Sequence, residues 1–237
     1  MTQVVHRGDT GRAYAGIPMH AAPGVHEHAL RLLKARLAAG GRVADIGAGS
    51  GALSARLHDA GYDVVACDID GSDYTAAPPM VVWDASAQLL PVSLQSGSFD
   101  CVCAVEVLEH VENPMQALRN FHAMLKPGGL MLASTPNVSH PRSRLKFFVS
   151  GEPSYFGRTE YFSSGHRTIL PDWLLELHLK EVGFQDLRLD YAGSLGLKGK
   201  QQLLYRALGP LFKALGMLPG PRVADGCVTF ATATKPG

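Results

Sequence analysis

Hydrophobic and polar positions along the chain follow two alternating periods. Leu30, Leu33 and Leu37 fall on one helical stripe with basic residues between them. Short apolar runs and helical periods then take turns. "RVADIG" (42–47) reads as a strand and "ALSARLHDAGY" (52–62) as a helix closed by Gly61. "DVVACDID" (63–70), "MVVWDA" (80–85) and "FDCVCAVEV" (99–107) read as three more strands. "PMQALRNFHAMLKPGG" (114–129) predicts a helix opened by Pro114 and stopped by Pro127-Gly128-Gly129. "LMLASTPN" (130–137) is a fifth strand, and "PDWLLELHLKEVGF" (171–184) is a helix ended by Gly183. "FQDLRLDYAG" (184–193) and "CVTFATATK" (227–235) supply two final strands.

Strands alternating with helices predict a doubly wound α/β fold with a mostly parallel sheet. The ligand crevice of such a sheet lies at the carboxyl ends of its strands. Asp45 with Gly47, Asp68, Asp84 and Glu106 all fall at such ends and are expected along one edge.

Composition narrows the picture. A chain of 237 residues with 46% apolar content suits one substantial domain, 1–237, with small appendages. Residues 1–24 read as an irregular N-terminal arm. A net charge of +1 gives no global reason to expect a polyanionic partner. Cys67, Cys101, Cys103 and Cys227 form no C-x-x-C pair, and three of them sit in apolar runs. A reducing, cytoplasmic setting is expected. The N-terminus carries no secretory pattern, and no run approaches the roughly 18 apolar residues of a spanning helix.

"DIGAGSG" places Gly47, Gly49 and Gly51 between a strand and a helix. Glycines there allow a tight turn and a close approach of ligand to backbone. A nicotinamide dinucleotide is the first rival. Its usual spacing is G-x-G-x-x-G, with pyrophosphate on the helix N-terminus. Here the spacing is G-x-G-x-G with Asp45 just before it. An acid beside the loop repels pyrophosphate and suits a cationic or zwitterionic ligand, which favours an amino-acid-bearing nucleoside.

"VADIGAGSGAL", "VVACDID", "FDCVCAVEVLEHV" and "LKPGGLMLASTPN", in that order, resemble the class I S-adenosylmethionine-dependent methyltransferases over residues 25–190 and the terminal strand. The resemblance implies a seven-stranded Rossmann-like sheet with an antiparallel last strand, and S-adenosyl-L-methionine as methyl donor. It implies that Gly47, Ala48, Gly49 and Gly51 form the cofactor loop, with Asp45 holding that loop and the ligand's ammonium end. It implies Asp68 on the ribose hydroxyls, where an acceptor-only carboxylate is well suited. Ile69 or Asp70 would lie near the adenine, and Asp84 with Ala85 would meet its exocyclic amine. "DASAQLLPVSLQSGSFD" is longer and less acidic than the family's common stretch, so only Asp84 is secure there.

"VEVLEHVENP" (105–114) follows the fourth strand and borders the methyl-transfer position. Glu106, Glu109 and His110 are spaced i, i+3, i+4, so a helix here would project all three from one face. The segment resembles that of the ubiquinone-pathway O-methyltransferases and of the small-RNA 2′-O-methyltransferases. In both, the two glutamates and the histidine are associated with a divalent metal, alongside "TPN" and a later histidine. His166 is that histidine here. Three readings stand: acid/base or substrate contact by His110 or His166, a conditional divalent metal site, or the polar start of a helix. The metal is not the default, because "LEHV" also occurs in metal-free methyltransferases.

Two insertions belong to the substrate side. Residues 138–168 read as a long aromatic and basic loop. Tyr155, Phe156, Tyr161 and Phe162 are candidates for a pocket wall, and Arg142, Arg144 and Lys146 for an anionic group. Residues 192–223 hold no Asp or Glu and five basic residues. Leu204, Leu208, Leu211 and Leu215 share a stripe there, with Arg206 and Lys213 on the other side. That helical insertion before the last strand either packs on the sheet edge or makes peripheral membrane contact. The expected function is methyl transfer from S-adenosyl-L-methionine, forming an O-methyl product on a small-molecule or lipid-linked acceptor of quinol or glycan type. The alternatives are an RNA 2′-O-methyltransferase, disfavoured by near-neutral charge, and a nicotinamide-dependent dehydrogenase, disfavoured by the glycine spacing.

Overall fold

The computed structural model describes residues 13–193, 214 and 226–237. The chain runs β1 (Ala13–Tyr14), β2 (Ile17–Pro18), α1 (Val25–Lys34), β3 (Arg42–Ile46), α2 (Ala52–Asp59), β4 (Asp63–Asp68), β5 (Met80–Val82), β6 (Phe99–Ala104), α3 (Pro114–Met124), β7 (Leu125–Pro136), α4 (Pro141–Ser150), α5 (Arg158–Ser163), α6 (Asp172–Val182), β8 (Gln185–Ala192) and β9 (Val228–Thr234).

Seven strands form one sheet in the order β5-β4-β3-β6-β7-β9-β8. β5, β4, β3, β6 and β7 are parallel, and β9 runs antiparallel to both β7 and β8. The doubly wound sheet with an antiparallel last strand is therefore as the sequence implies. β6 shows why its second half, from Cys101 to Ala104, is continuously apolar. Its Cys101 and Cys103 enter the core beneath α1 and α2, with Leu33, Leu53 and Leu57. Its Val102 and Ala104 enter the opposite core beneath α3 and α6, with Leu118, Phe121 and Leu175. Side chains alternate between faces and both faces are covered from Cys101 to Ala104, so that part is wholly apolar; Asp100, near the strand's start, is half-buried and accepts from Arg42 N–H and Lys126 Nζ. All four cysteines are buried and free.

Three expectations change. The helix predicted over 114–129 ends at Met124, because Leu125 already has extended backbone and pairs with Phe99. Gly128 N–H donates to the Lys235 carbonyl and Lys235 N–H to the Gly129 carbonyl, so cross-strand bonding draws "LKPGG" into the sheet. The arm is not wholly irregular: β1 and β2 form a small antiparallel pair, and the Tyr14 hydroxyl donates to Asp59 on α2. Residues 138–168 are not a plain loop, since α4 and α5 lie within them.

Residues 1–12 of the arm, and the 192–223 insertion apart from Ala192, Gly193 and Ala214, lie outside the described residues. The leucine stripe and Arg206 and Lys213 are among the residues outside. Among the described residues no helix is long and apolar enough to cross a membrane.

Candidate active site

β3 delivers the chain to Gly47, Gly49 and Gly51, all in the left-handed region at φ 72°, 52° and 94°. A Cβ on Gly47 would lie 2.4 Å from Val107 Cγ2, and one on Gly51 would lie 2.6 Å from Ala76 Cβ. Those two glycines are needed for packing as well as backbone conformation. Gly49 differs: the nearest group to its Cβ position is His20, at 3.9 Å, so its backbone faces open space. The loop is pinned from behind, with Gly47 and Ala48 N–H both donating to the Cys67 carbonyl. From the arm side, Ser50 Oγ donates to the Pro18 carbonyl.

The sequence-identified acids do not act alike. Asp45 is fully buried and accepts from the Ser54 hydroxyl of α2. Burial raises its pKa to about 7, opposed by Ser54 and reinforced by Asp68. Its place under the loop fits support of the glycine turn; at 1% exposure it has almost no surface for a ligand's ammonium. Asp68, at the end of β4, accepts from Gly49 N–H at 2.8 Å, which ties the carboxylate to the glycine loop. Ile69 beside it is strongly exposed. Asp84 is exposed and accepts from Ser86 N–H and Oγ, both at 2.8 Å. Ala85 is buried, and its carbonyl accepts from Asn120 Nδ2. Asn120 itself is not apparent from the sequence. Its only signal is a polar residue on the apolar face of α3, where a buried amide must find partners. An accessible glycine backbone, a carboxylate at the next strand end and an exposed apolar side chain together fit the amino-acid, ribose and adenine parts of S-adenosylmethionine.

The second half of the site is built differently. Residues 105–113 form bends and turns, and α3 starts only at Pro114 under an Asn113 cap. The shared helical face of Glu106, Glu109 and His110 does not exist. Glu106 instead takes φ 57°. Its N–H donates to Ser134 Oγ, which donates back to Glu106 Oε1, both at 3.0 Å. The residue is partly exposed but its carboxyl group is enclosed, and burial raises its pKa to about 7 against the Ser134 bond. Glu109 is completely buried, and neither carboxyl oxygen has a hydrogen-bond partner among the described residues. Burial, then the neighbouring Glu106 charge, pushes its pKa well above the ordinary value, with Thr135 opposing.

Backbone bonds bring the distant His166 here. The Glu109 carbonyl accepts from the N–H groups of Arg167 and Thr168, at 2.8 and 3.0 Å. Thr168 Oγ1 donates to the Val111 carbonyl at 2.7 Å. The two imidazoles of His110 and His166 then meet edge to face, 4.8 Å between centroids. His166 Nδ1 lies 2.7 Å from the Tyr155 carbonyl. A carbonyl can only accept, so in the neutral ring Nδ1 carries the proton and Nε2 keeps its lone pair. Burial lowers the His166 pKa, which favours this neutral form. One ligating atom each from Glu109, His110 and His166 lies within 4.8 Å of the others. Glu106 stands outside that triplet.

An unpartnered buried carboxyl beside an open imidazole nitrogen fits a divalent cation, for which mixed carboxylate and imidazole donors are suitable. The "TPN" motif has another role in part: Asn137 Nδ2 donates to the Gly226 carbonyl and joins β7 to the start of β9. Phe156, Tyr161 and Phe162 line an apolar cavity of about 400 Å³ that includes His166. Tyr155 lines a separate cleft.

The methyltransferase domain family matches residues 20–189. A ubiquinone biosynthesis O-methyltransferase of Xanthomonas axonopodis pv. citri is 35% identical over 141 residues, covering 51% of this chain and 52% of the relative. The protein of that name from Ruegeria pomeroyi is 31% identical over 153 residues, covering 62% and 61%. The chain thus spans about half the length of the curated relatives it matches. Among solved structures, a SAM-dependent methyltransferase from Archaeoglobus fulgidus superposes with a TM-score of 0.62 at 18% identity, over 89% of this chain and 93% of the other. Phosphoethanolamine N-methyltransferase 2 of Haemonchus contortus, solved with S-adenosyl-L-methionine, gives 0.58 at 19% identity, over 92% and 54%. At these identities the solved structures establish the fold alone. The family match, the strand order and the glycine loop together place this chain in the class I S-adenosylmethionine-dependent methyltransferase family.

Proposed function

We propose that the protein transfers the methyl group of S-adenosylmethionine to a hydroxyl oxygen of a small or lipid-linked acceptor of the quinol type. One observation supports this most: the Glu109, His110 and His166 group, with Glu109 buried, His166 partly buried and His110 exposed, lies past the end of β6, the sheet neighbour of the strand β3 that leads into the glycine loop. A sulfonium methyl is already activated for displacement. The protein's task is to align oxygen, methyl carbon and sulfur and to take the hydroxyl proton. The oxygen lone pair forms the new C–O bond as the C–S bond breaks. Its electrons return to sulfur and leave neutral S-adenosylhomocysteine. His166 Nε2 is the group best suited to receive the proton, since its ring is fixed by Tyr155 and kept neutral by burial. Glu106, with a pKa near 7, is suited to relay it.

A divalent cation, if bound, would be held by Glu109, His110 and His166 and would lower the pKa of the acceptor hydroxyl; it would occupy the His166 Nε2 lone pair and leave the proton to Glu106. The apolar cavity at His166 favours an aromatic or prenyl-bearing acceptor over a sugar. The relatives named for ubiquinone biosynthesis support the same class.

The test is a transfer screen with methyl-labelled donor against quinols, sugars and RNA. Label is expected in the quinol oxygen. Label in RNA alone, or in none of the three, would overturn the reading.

A further inference from the structure

A cleft of about 660 Å³ opens along α4, separate from the apolar cavity at His166. Leu145 and Val149 give it apolar floor, while Arg142, Lys146, Tyr155 and Glu160 bring polar groups to it. The three basic residues of this segment are not equivalent. Arg144 Nε donates to the Ser139 carbonyl, and Lys146 Nζ donates to the Pro153 carbonyl. Arg142 uses its backbone N–H on His140 Nδ1. Its guanidinium has neither a hydrogen bond nor an ion pair among the described residues, although the residue is partly buried. Glu160 lines the same cleft without forming an ion pair with it. A half-buried guanidinium with five unused donors in a planar fork is shaped for a carboxylate or phosphate.

Tyr155 connects this cleft to the reacting centre. It takes φ 70°, a strained backbone for a residue with a side chain, held only where surrounding contacts enforce it. In that conformation its carbonyl orients His166 while its side chain lines the cleft. Arg142, Lys146 and Tyr155 line the one cleft together. Tyr155 thus joins the two places: its side chain lines the cleft with Arg142 and its carbonyl bonds His166.

We propose that the α4 cleft is a subsite for an anionic group of the methyl acceptor, a carboxylate or a phosphate, anchored by Arg142 with Lys146 beside it. This rests on the methyltransferase reading and narrows its substrate class: the acceptor carries a hydroxyl at one end and a negative charge at the other. Tyr155 is a positioning residue in this scheme, coupling occupancy of the cleft to the orientation of His166.

Two measurements separate the subsite from the reaction. First, benzoate and phenyl phosphate are titrated calorimetrically into the full chain and into Arg142→Gln and Arg142→Lys. Wild type is expected to bind at least one of them, and the stronger binder identifies the anion. Arg142→Gln is expected to weaken that binding about tenfold to a hundredfold, the usual worth of a charge-assisted bond, with partial recovery in Arg142→Lys. Second, methyl transfer is compared between 3,4-dihydroxybenzoate and its neutral methyl ester. Wild type is expected to show at least a tenfold lower KM for the acid, with kcat within about threefold. That preference should vanish in Arg142→Gln. Methyl transfer with no preference for the acid, or binding that Arg142→Gln leaves unchanged, overturns the subsite and leaves the methyltransferase reading standing. Anion binding that depends on Arg142, without transfer to either compound, supports the subsite and counts against that reading.

Discussion

The cofactor half gives every acid a donor, whereas the acceptor half satisfies Glu106 through Ser134 and leaves Glu109 without a partner among the described residues. In the cofactor half each acid has a donor close by: Asp45 has Ser54, Asp68 has Gly49 N–H, and Asp84 has Ser86. In the acceptor half Glu109 is more deeply buried than Asp68 or Asp84, yet neither of its oxygens has a hydrogen-bond partner among the described residues. A buried carboxyl without partners is destabilising and stays protonated or recruits a cation. The contrast separates a region organised for its own stability from one that holds unsatisfied chemistry in reserve for a substrate or ion.

The largest effect expected from breaking that contrast is at Glu109. Glu109→Gln should reduce kcat by about 10²–10³-fold while raising the melting temperature, because an ionisable group leaves an unpaired buried position. Activity and thermal melts on the same preparation check this. Lower stability together with unchanged activity would place Glu109 in the frame rather than the chemistry.

Next comes the glycine loop. Gly47→Ala should weaken S-adenosylmethionine binding at least tenfold and destabilise the fold by about 1–3 kcal/mol. It adds both the φ strain and the 2.4 Å collision with Val107. Val107→Ala in the same chain should recover only part, since it removes the collision and leaves the strain. Full recovery would reduce the glycine's role to packing.

The pH dependence of stability sharpens the comparison further. Asp45 and Glu106 both have folded-state pKa values raised to about 7, and that of Glu109 is raised too. The folded protein therefore holds protons that the unfolded chain releases near pH 4. By linkage, stability is expected to fall as pH rises from about 4 through about 7. Asp45→Asn should flatten this profile and raise stability at pH 8, by an amount on the order of 1–3 kcal/mol. A profile that rises across that window would contradict the burial argument. The smallest effect is expected at Asp84, whose exposed carboxylate should lose no more than about tenfold in cofactor affinity on change to Ala.

These differences also explain what the sequence discloses. The cofactor half is local: a strand, three glycines and a helix follow one another, and the φ values demand glycine. The glycine turn at 47–51 is legible from spacing and the place of Asp68 at a strand's carboxyl end from the strand pattern, while the roles expected of them come from the family resemblance. The acceptor half is tertiary. His110 and His166 lie far apart in the chain and meet only because Arg167 and Thr168 bond to the Glu109 carbonyl. Helical spacing predicts the wrong geometry for Glu106, Glu109 and His110, because Glu106 leaves the strand at positive φ and the turn is stabilised by Ser134. Nothing in the pattern distinguishes Arg142 from Arg144 and Lys146. Their difference lies in which carbonyls happen to be within reach.

The most direct test of the account is His166→Gln, studied for cofactor binding and for transfer of labelled methyl to a quinol in parallel. The account expects the Kd for S-adenosylmethionine to stay within about threefold while transfer falls about 10²-fold or more. Transfer that survives the change, or cofactor binding lost along with it, would contradict the division of the site into a self-contained cofactor half and an acceptor half centred on Glu109, His110 and His166.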